Sequence, residues 1–123
     1  MQTSPDFLKK DADSEHTAQD SFFIRNHHQL IRVKWMDIHW LHADGNYCHV
    51  VTASRKYAVK SSMKKLASRL PLDLFLRIHK AYIIRIDSIE KIDTKDNVVT
   101  IGDQMLPIGR MYKERLLQQL DII

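Results

Sequence analysis

A lone cysteine, Cys48, has no partner within the chain, so no internal disulfide can staple the fold. A reducing, cytoplasmic setting is the simplest reading of that usage. No apolar run approaches the length of a membrane helix, and no signal-peptide pattern opens the chain. No glycine-rich phosphate loop occurs, and no serine, histidine and aspartate arrangement suggests a nucleophile. The common nucleic-acid signatures are missing too: no helix-turn-helix pair, no zinc-ligand spacing and no RNP aromatic motif. No internal repeat or low-complexity segment interrupts the chain.

What is there is one domain's worth of sequence, 123 residues with 44% hydrophobic content, enough for a single core. The net charge of +4 is unevenly spread. Residues 1–20 carry Asp6, Asp11, Asp13, Glu15 and Asp20 against Lys9 and Lys10, a balance of −3, which leaves +7 for residues 21–123. The first segment lacks apolar periodicity and is expected to be a flexible acidic leader. The remainder is basic, which points to an anionic partner, whether nucleic acid, a membrane surface or an acidic protein, unless the charge serves solubility alone.

From Ser21 the sequence breaks into short runs rich in Val, Ile, Phe, Tyr and Trp: "SFFIR", "QLIRVKW", "DIHWLHA", "YCHVVTA" and "KYAVK". Asp44, Gly45 and Asn46 make a strong turn signal between two of them. In "SSMKKLASRL", Met63, Leu66, Ala67 and Leu70 repeat at helical spacing, with a serine cap before them and Pro71 as the stop. Strand-like runs follow in "FLRIH", "SIEKID", "NVVTI" and "QMLPI"; "YIIRID" fits either a strand or a single helical turn. A closing helix is expected in "RMYKERLLQQL", with Tyr112, Leu116, Leu117 and Leu120 as its apolar stripe and Gly109 as its cap. The chain therefore reads as mainly β and mostly antiparallel, with one internal helix and one C-terminal helix.

The seven histidines do not form a ligand set. His39 and His42, three apart on a strand, point to opposite faces, and His27 and His28 share a turn. Asp87, Glu90, Asp93 and Asp96 read as a solvated face rather than a magnesium site. No enzyme activity, metal, cofactor or small-molecule substrate is expected. The basic residues at the ends of β-runs are more informative: Lys56, Lys80 and Arg110 sit where loops begin, and a loop-mounted cation on a rigid sheet can reach a phosphate or a base edge.

Four blocks, in order, carry a family likeness. "DIHWLHADGNYCHV", "SSMKKLASRL", "FLRIHKAYIIRIDSI" and "LPIGRMYKERLLQQL" together resemble the LytTR DNA-binding domain, found at the C-terminus of many bacterial response regulators of two-component systems and in stand-alone regulators. The resemblance implies an elongated arrangement of small antiparallel sheets with little helix. It implies a transcription regulator that reads double-stranded DNA with loops in successive major grooves, at paired repeats and as a possible homodimer on DNA. The positions matching the family's DNA-contacting loops are Asn46, Cys48 and His49, then Lys80 and Ala81 with Arg85 nearby, then Arg110 and Lys113. Ala81, Arg85 and Gly109 depart from the family's usual Ser, Asn and Ser. Lys80 replaces Arg and so favours a phosphate contact over forked base reading. Cys48 is a poor base reader, which moves that expectation to Asn46 and His49. Arg77 and His79 have a structural alternative, Arg77 holding a carboxylate and His79 bonded to a backbone carbonyl. The rival reading is a protein-interaction module that offers its basic face to an acidic partner.

Overall fold

The computed structural model describes residues 20–123. The expected leader lies outside them except for Asp20, whose carbonyl accepts a hydrogen bond from the Trp35 amide at 2.9 Å. The chain divides into two compact units, one ending at Met36 and the other running from Asp37 to Ile123.

The first unit is a β-hairpin of β1 (Ser21–Asn26) and β2 (Gln29–Lys34), in register from Ser21 opposite Lys34 to Asn26 opposite Gln29. Alternation places Phe22, Ile24, Ile31 and Val33 on one side and Phe23, Arg25, Leu30 and Arg32 on the other. Ile24 and Val33 are buried, whereas Phe23 and Leu30 are exposed. The turn runs through His27 and His28, and His27 takes a positive φ of 58°. Phe22 packs on Trp35 with ring centroids 4.8 Å apart, and the Arg32 guanidinium lies 4.6 Å over the Phe23 ring.

The second unit holds a five-stranded antiparallel sheet, a three-stranded antiparallel sheet and two helices. The five strands are β3 (Ile38–Asp44), β4 (Tyr47–Thr52), β5 (Lys56–Val59), β6 (Phe75–His79) and β7 (Tyr82–Arg85), in the spatial order β5-β4-β3-β7-β6. The link from β5 to β6 crosses from one edge to the other and carries α1 (Met63–Ala67). The Ser62 hydroxyl caps α1 by accepting the Lys65 amide at 3.1 Å. The helix is shorter than its periodicity suggests: the Ser68 hydroxyl donates to the Lys65 carbonyl at 2.7 Å, and residues 68–70 continue as a turn. Met63, Leu66 and Leu70 are nevertheless buried, as the helical stripe requires.

The ambiguous "YIIRID" resolves into both of its readings, strand β7 followed by a 3-10 turn at Ile86–Ser88. That turn shortens the next strand-like run, so β8 spans Lys91–Asp93 alone. β8 pairs with β9 (Val98–Ile101), and β9 with β10 (Gln104–Pro107). The Asp93 carboxylate closes the β8–β9 turn by accepting the Lys95 and Asp96 amides at 2.9 and 2.7 Å. α2 (Arg110–Gln118) completes the unit.

One apolar core joins Ile78 and Ile84 of the five-stranded sheet to Val99, Ile101, Leu106, Ile108 and Leu116. Leu116 is fully buried, whereas Met111 on the same helix is 91% exposed. Leu116→Ala is therefore expected to cost about 2–5 kcal/mol, from lost burial plus an unfilled cavity. Met111→Ala is expected to stay within about 0.5 kcal/mol of the parent. Denaturant unfolding of the two variants measures both.

Candidate nucleic-acid interface

Strand register brings three sequence-distant segments to one end of the five-stranded sheet. The first is the β3–β4 turn. Asp44 pairs with Tyr47, leaving Gly45 and Asn46 as a two-residue loop in which Gly45 takes a φ of +62°. The second is the β6–β7 turn at Lys80 and Ala81. Tyr82 pairs with His42, and the Ala43 amide donates to the Ala81 carbonyl at 2.9 Å, so this turn lies beside the first. The third is the start of α2. The Gly109 amide donates to the Ile78 carbonyl at 2.7 Å, which fastens the helix entry to the free side of β6.

The Lys80 turn contains no glycine and is held by side chains instead. Arg77 donates from Nε to the His79 carbonyl at 3.3 Å and from Nη2 to the Lys80 carbonyl. His79 accepts the Ala81 amide on Nδ1 at 3.0 Å. Both residues are structural in a way the sequence did not suggest: Arg77 serves carbonyls rather than a carboxylate, and His79 serves an amide rather than a carbonyl. The flanking Ile78, Ile83 and Ile84 are sealed in the interior, so the exposed Lys80 is presented by a braced turn.

The eight residues singled out from sequence separate into outward-facing and committed groups. Asn46, Lys80 and Arg110 are exposed at the shared end, and Ala81 is half-buried between them. Cys48 is 1% exposed and its thiol donates to the Ser61 carbonyl at 3.3 Å, so it does not face a ligand. Burial pushes the Cys48 thiol pKa up, with Arg77 opposing more weakly, so the group stays protonated at neutral pH. Arg85 is 8% exposed and donates from Nε to the Ile38 carbonyl at 2.8 Å, so it is a buried group rather than a surface charge. Lys113 donates from Nζ to the Thr94 carbonyl at 2.7 Å and so ties α2 to the β8–β9 turn. His49 is half-buried, with Nε2 3.3 Å from an Asp44 carboxylate oxygen and Nδ1 buried without a partner.

Tyr47, within the loop the family likeness spans from Asn46 to His49, is exposed at the strand end. Alternation was the available signal: with Val50 buried, Cys48 must face inward and Tyr47 and His49 the other way. Asp44, also exposed, places a carboxylate at the same end. Behind the turns, His42 stacks on Tyr82 with ring centroids 4.5 Å apart. Its pKa is lowered, chiefly by burial; Asp44 pulls it up, and His49, Lys56 and His79 push it further down.

Gly109 has a role besides capping. A Cβ there would meet the Tyr112 ring at 3.0 Å and the His79 backbone at 3.6 Å. Its lack of a side chain lets the helix start lie against β6, and a serine would require the Tyr112 ring to shift. Among the described residues, no group of three or more histidine, cysteine, aspartate or glutamate side chains is arranged to hold a metal ion. No helix among them is long and apolar enough to cross a membrane.

Comparison with known proteins agrees with this architecture. The chain is 21% identical over 113 residues to the sensory transduction protein LytT of Bacillus subtilis, an alignment covering 89% of the chain and 47% of LytT. It is 30% identical over 82 residues to the CO-responsive transcriptional regulator RcoM of Rhodospirillum rubrum, covering 63% of the chain and 35% of RcoM. The chain thus spans about half or less of the length of these relatives. Its fold matches the LytTr DNA-binding domain of a methyl-accepting/DNA response regulator from Bacillus cereus with a TM-score of 0.72 at 20% identity, covering 84% of this chain and 98% of that one. The model of the LytTr DNA-binding domain matches residues 28–121, and the chain belongs to that family.

Proposed function

We propose that this DNA-binding domain regulates transcription by reading duplex DNA sequence-specifically. In this reading the Asn46 turn, the Lys80 turn and the Arg110 helix start are offered to successive major grooves. The observation that carries it is the gathering of these three segments, from distant parts of the sequence, at one end of a rigid sheet. Arg110 is the base reader, because its planar fork matches the two acceptors of guanine. Lys80 is a phosphate contact, since an ammonium group is a point charge without a fork. Asn46 supplies amide hydrogen bonding beside Tyr47. Paired repeats, occupied by two copies of the domain, are the proposed operator form. The residues of the site point to no cofactor or small-molecule substrate.

Salt dependence separates this reading from an acidic protein partner. Affinity for duplex DNA is expected to fall with a log–log salt slope on the order of −4 to −8. Fluorescence anisotropy across a salt series reads it; a slope near zero contradicts DNA as the partner.

Two substitutions separate base reading from positioning. Arg110→Ala is expected to cost about 1–3 kcal/mol on a cognate site and to relax preference at one or two base pairs. Lys80→Ala is expected to weaken all sequences alike. Selection of sites from a random duplex library compares them, and unchanged preference in Arg110→Ala sinks its assignment.

Asp44 supplies a third test, because its carboxylate stands among the DNA-facing groups and repels phosphate. Asp44→Asn is expected to tighten binding at low salt by roughly 0.5 kcal/mol, about twofold, with the gain vanishing at high salt. Weaker binding by Asp44→Asn would show that the carboxylate instead positions His49 or another contact.

A further inference from the structure

From Gly45 to Leu72 the sequence contains no aspartate or glutamate, but it holds Arg55, Lys56, Lys60, Lys64, Lys65 and Arg69. This single-sign segment forms β4, β5 and α1, and its cations divide between the two ends of the sheet. Val51 pairs with Lys56, so Arg55 and Lys56 lie at the end away from the three gathered turns. Cys48 pairs with Val59, so the next residue, Lys60, stands level with Tyr47 beside the Asn46 turn.

Lys60 is firmly mounted. It sits between the last register pair of β5 and Ser61, whose carbonyl accepts the buried Cys48 thiol at 3.3 Å. The Ser62 cap then starts α1, placing Lys64 and Lys65 in its first turn. All three lysines are exposed.

We infer that Lys60, with Lys64 and Lys65, forms a fourth DNA-contacting segment that grips the phosphate backbone beside the groove read by the Asn46 turn. This rests on the DNA-reading interface proposed above. β5 is an edge strand, one step of about 5 Å beyond β4 and the Asn46 turn. Lys60 therefore stands outside the turns proposed to read base edges and reaches the flanking backbone. Lysine suits that place, because an ammonium group on a long flexible stem neutralises phosphate without demanding one geometry. The segment contributes affinity and register but no sequence preference.

The test compares the unmodified chain, a Lys60→Ala/Lys64→Ala double variant and Arg55→Ala by anisotropy across a salt series, with site selection from a random duplex library. The double variant is expected to flatten the log–log salt slope by about 1–2 and to keep the parent's base preference. Arg55→Ala removes one charge from the opposite end and is expected to leave the slope unchanged. An unchanged slope in the double variant overturns the inference, and so does an altered base preference. Equal flattening per charge in Arg55→Ala also overturns it, because the effect would then be net charge rather than contact. Loss of salt-dependent DNA binding in the unmodified chain would instead sink the underlying reading.

Discussion

The hydrogen bond from the Gly109 amide to the Ile78 carbonyl, 2.7 Å long, decides where the positive charge of this domain emerges. β6 is an edge strand of the five-stranded sheet, so its outward carbonyls have no neighbouring strand to serve them. The chain returns from β10 to meet that need with the first amide of the helix entry. Residue 109 has no side chain, so the Tyr112 ring packs closely against this helix start: a Cβ would press on it at 3.0 Å. Beneath it, Ile78, Ile84 and Leu116 are fully buried together. Helix, edge strand and hairpin turn thereby become one rigid corner from which Lys80 and Arg110 both project. The charge inside the greasy run "FLRIHKAYIIRID" follows from this: the isoleucines hold the corner, Arg77 and His79 brace the turn, and Arg85 satisfies the Ile38 carbonyl inside.

Membership of the LytTr family makes the domain a DNA-binding one; that this corner meets the duplex is the proposal made above. The electrostatics suit a polyanion, although the end of the sheet is not uniformly positive. Asp44 sits among the cations, with a carboxylate oxygen 3.3 Å from His49 Nε2. Because the charged side chains start from turns fixed by strand pairing and, at Lys80, by Arg77 and His79, the spacing of their backbone anchors is set by the fold. A pre-set spacing lowers the ordering cost of meeting a duplex.

Much of the fold was legible in the sequence, because its signals are local. The β-runs alternate, Gly45 marks a turn that requires positive φ, and the closing helix shows its stripe, of which Leu116 is the fully buried member. The assignment of individual cations was less legible, because their partners lie far away in sequence. Arg85 reaches a carbonyl 47 residues distant, and Lys113 one 19 residues distant. No local pattern distinguishes such residues from the free Lys80 and Arg110. Cys48 was different: alternation from Val50 already placed it inward, and the family likeness alone had drawn it into the site. α1 ends at Ala67, short of Pro71, and the Ser68 hydroxyl there bonds back to the Lys65 carbonyl, a detail that propensity leaves open.

In the proposed complex, three distant segments at one end of the sheet meet DNA together. An amide-resolved NMR titration of the chain with cognate duplex tests it most directly. Shifts concentrated at Gly45, Asn46, Tyr47, Lys80, Ala81, Arg110 and Met111, with residues 53–55 at the opposite end undisturbed, are the expected result. Shifts centred on residues 53–55, or confined to one of the three segments, would contradict it.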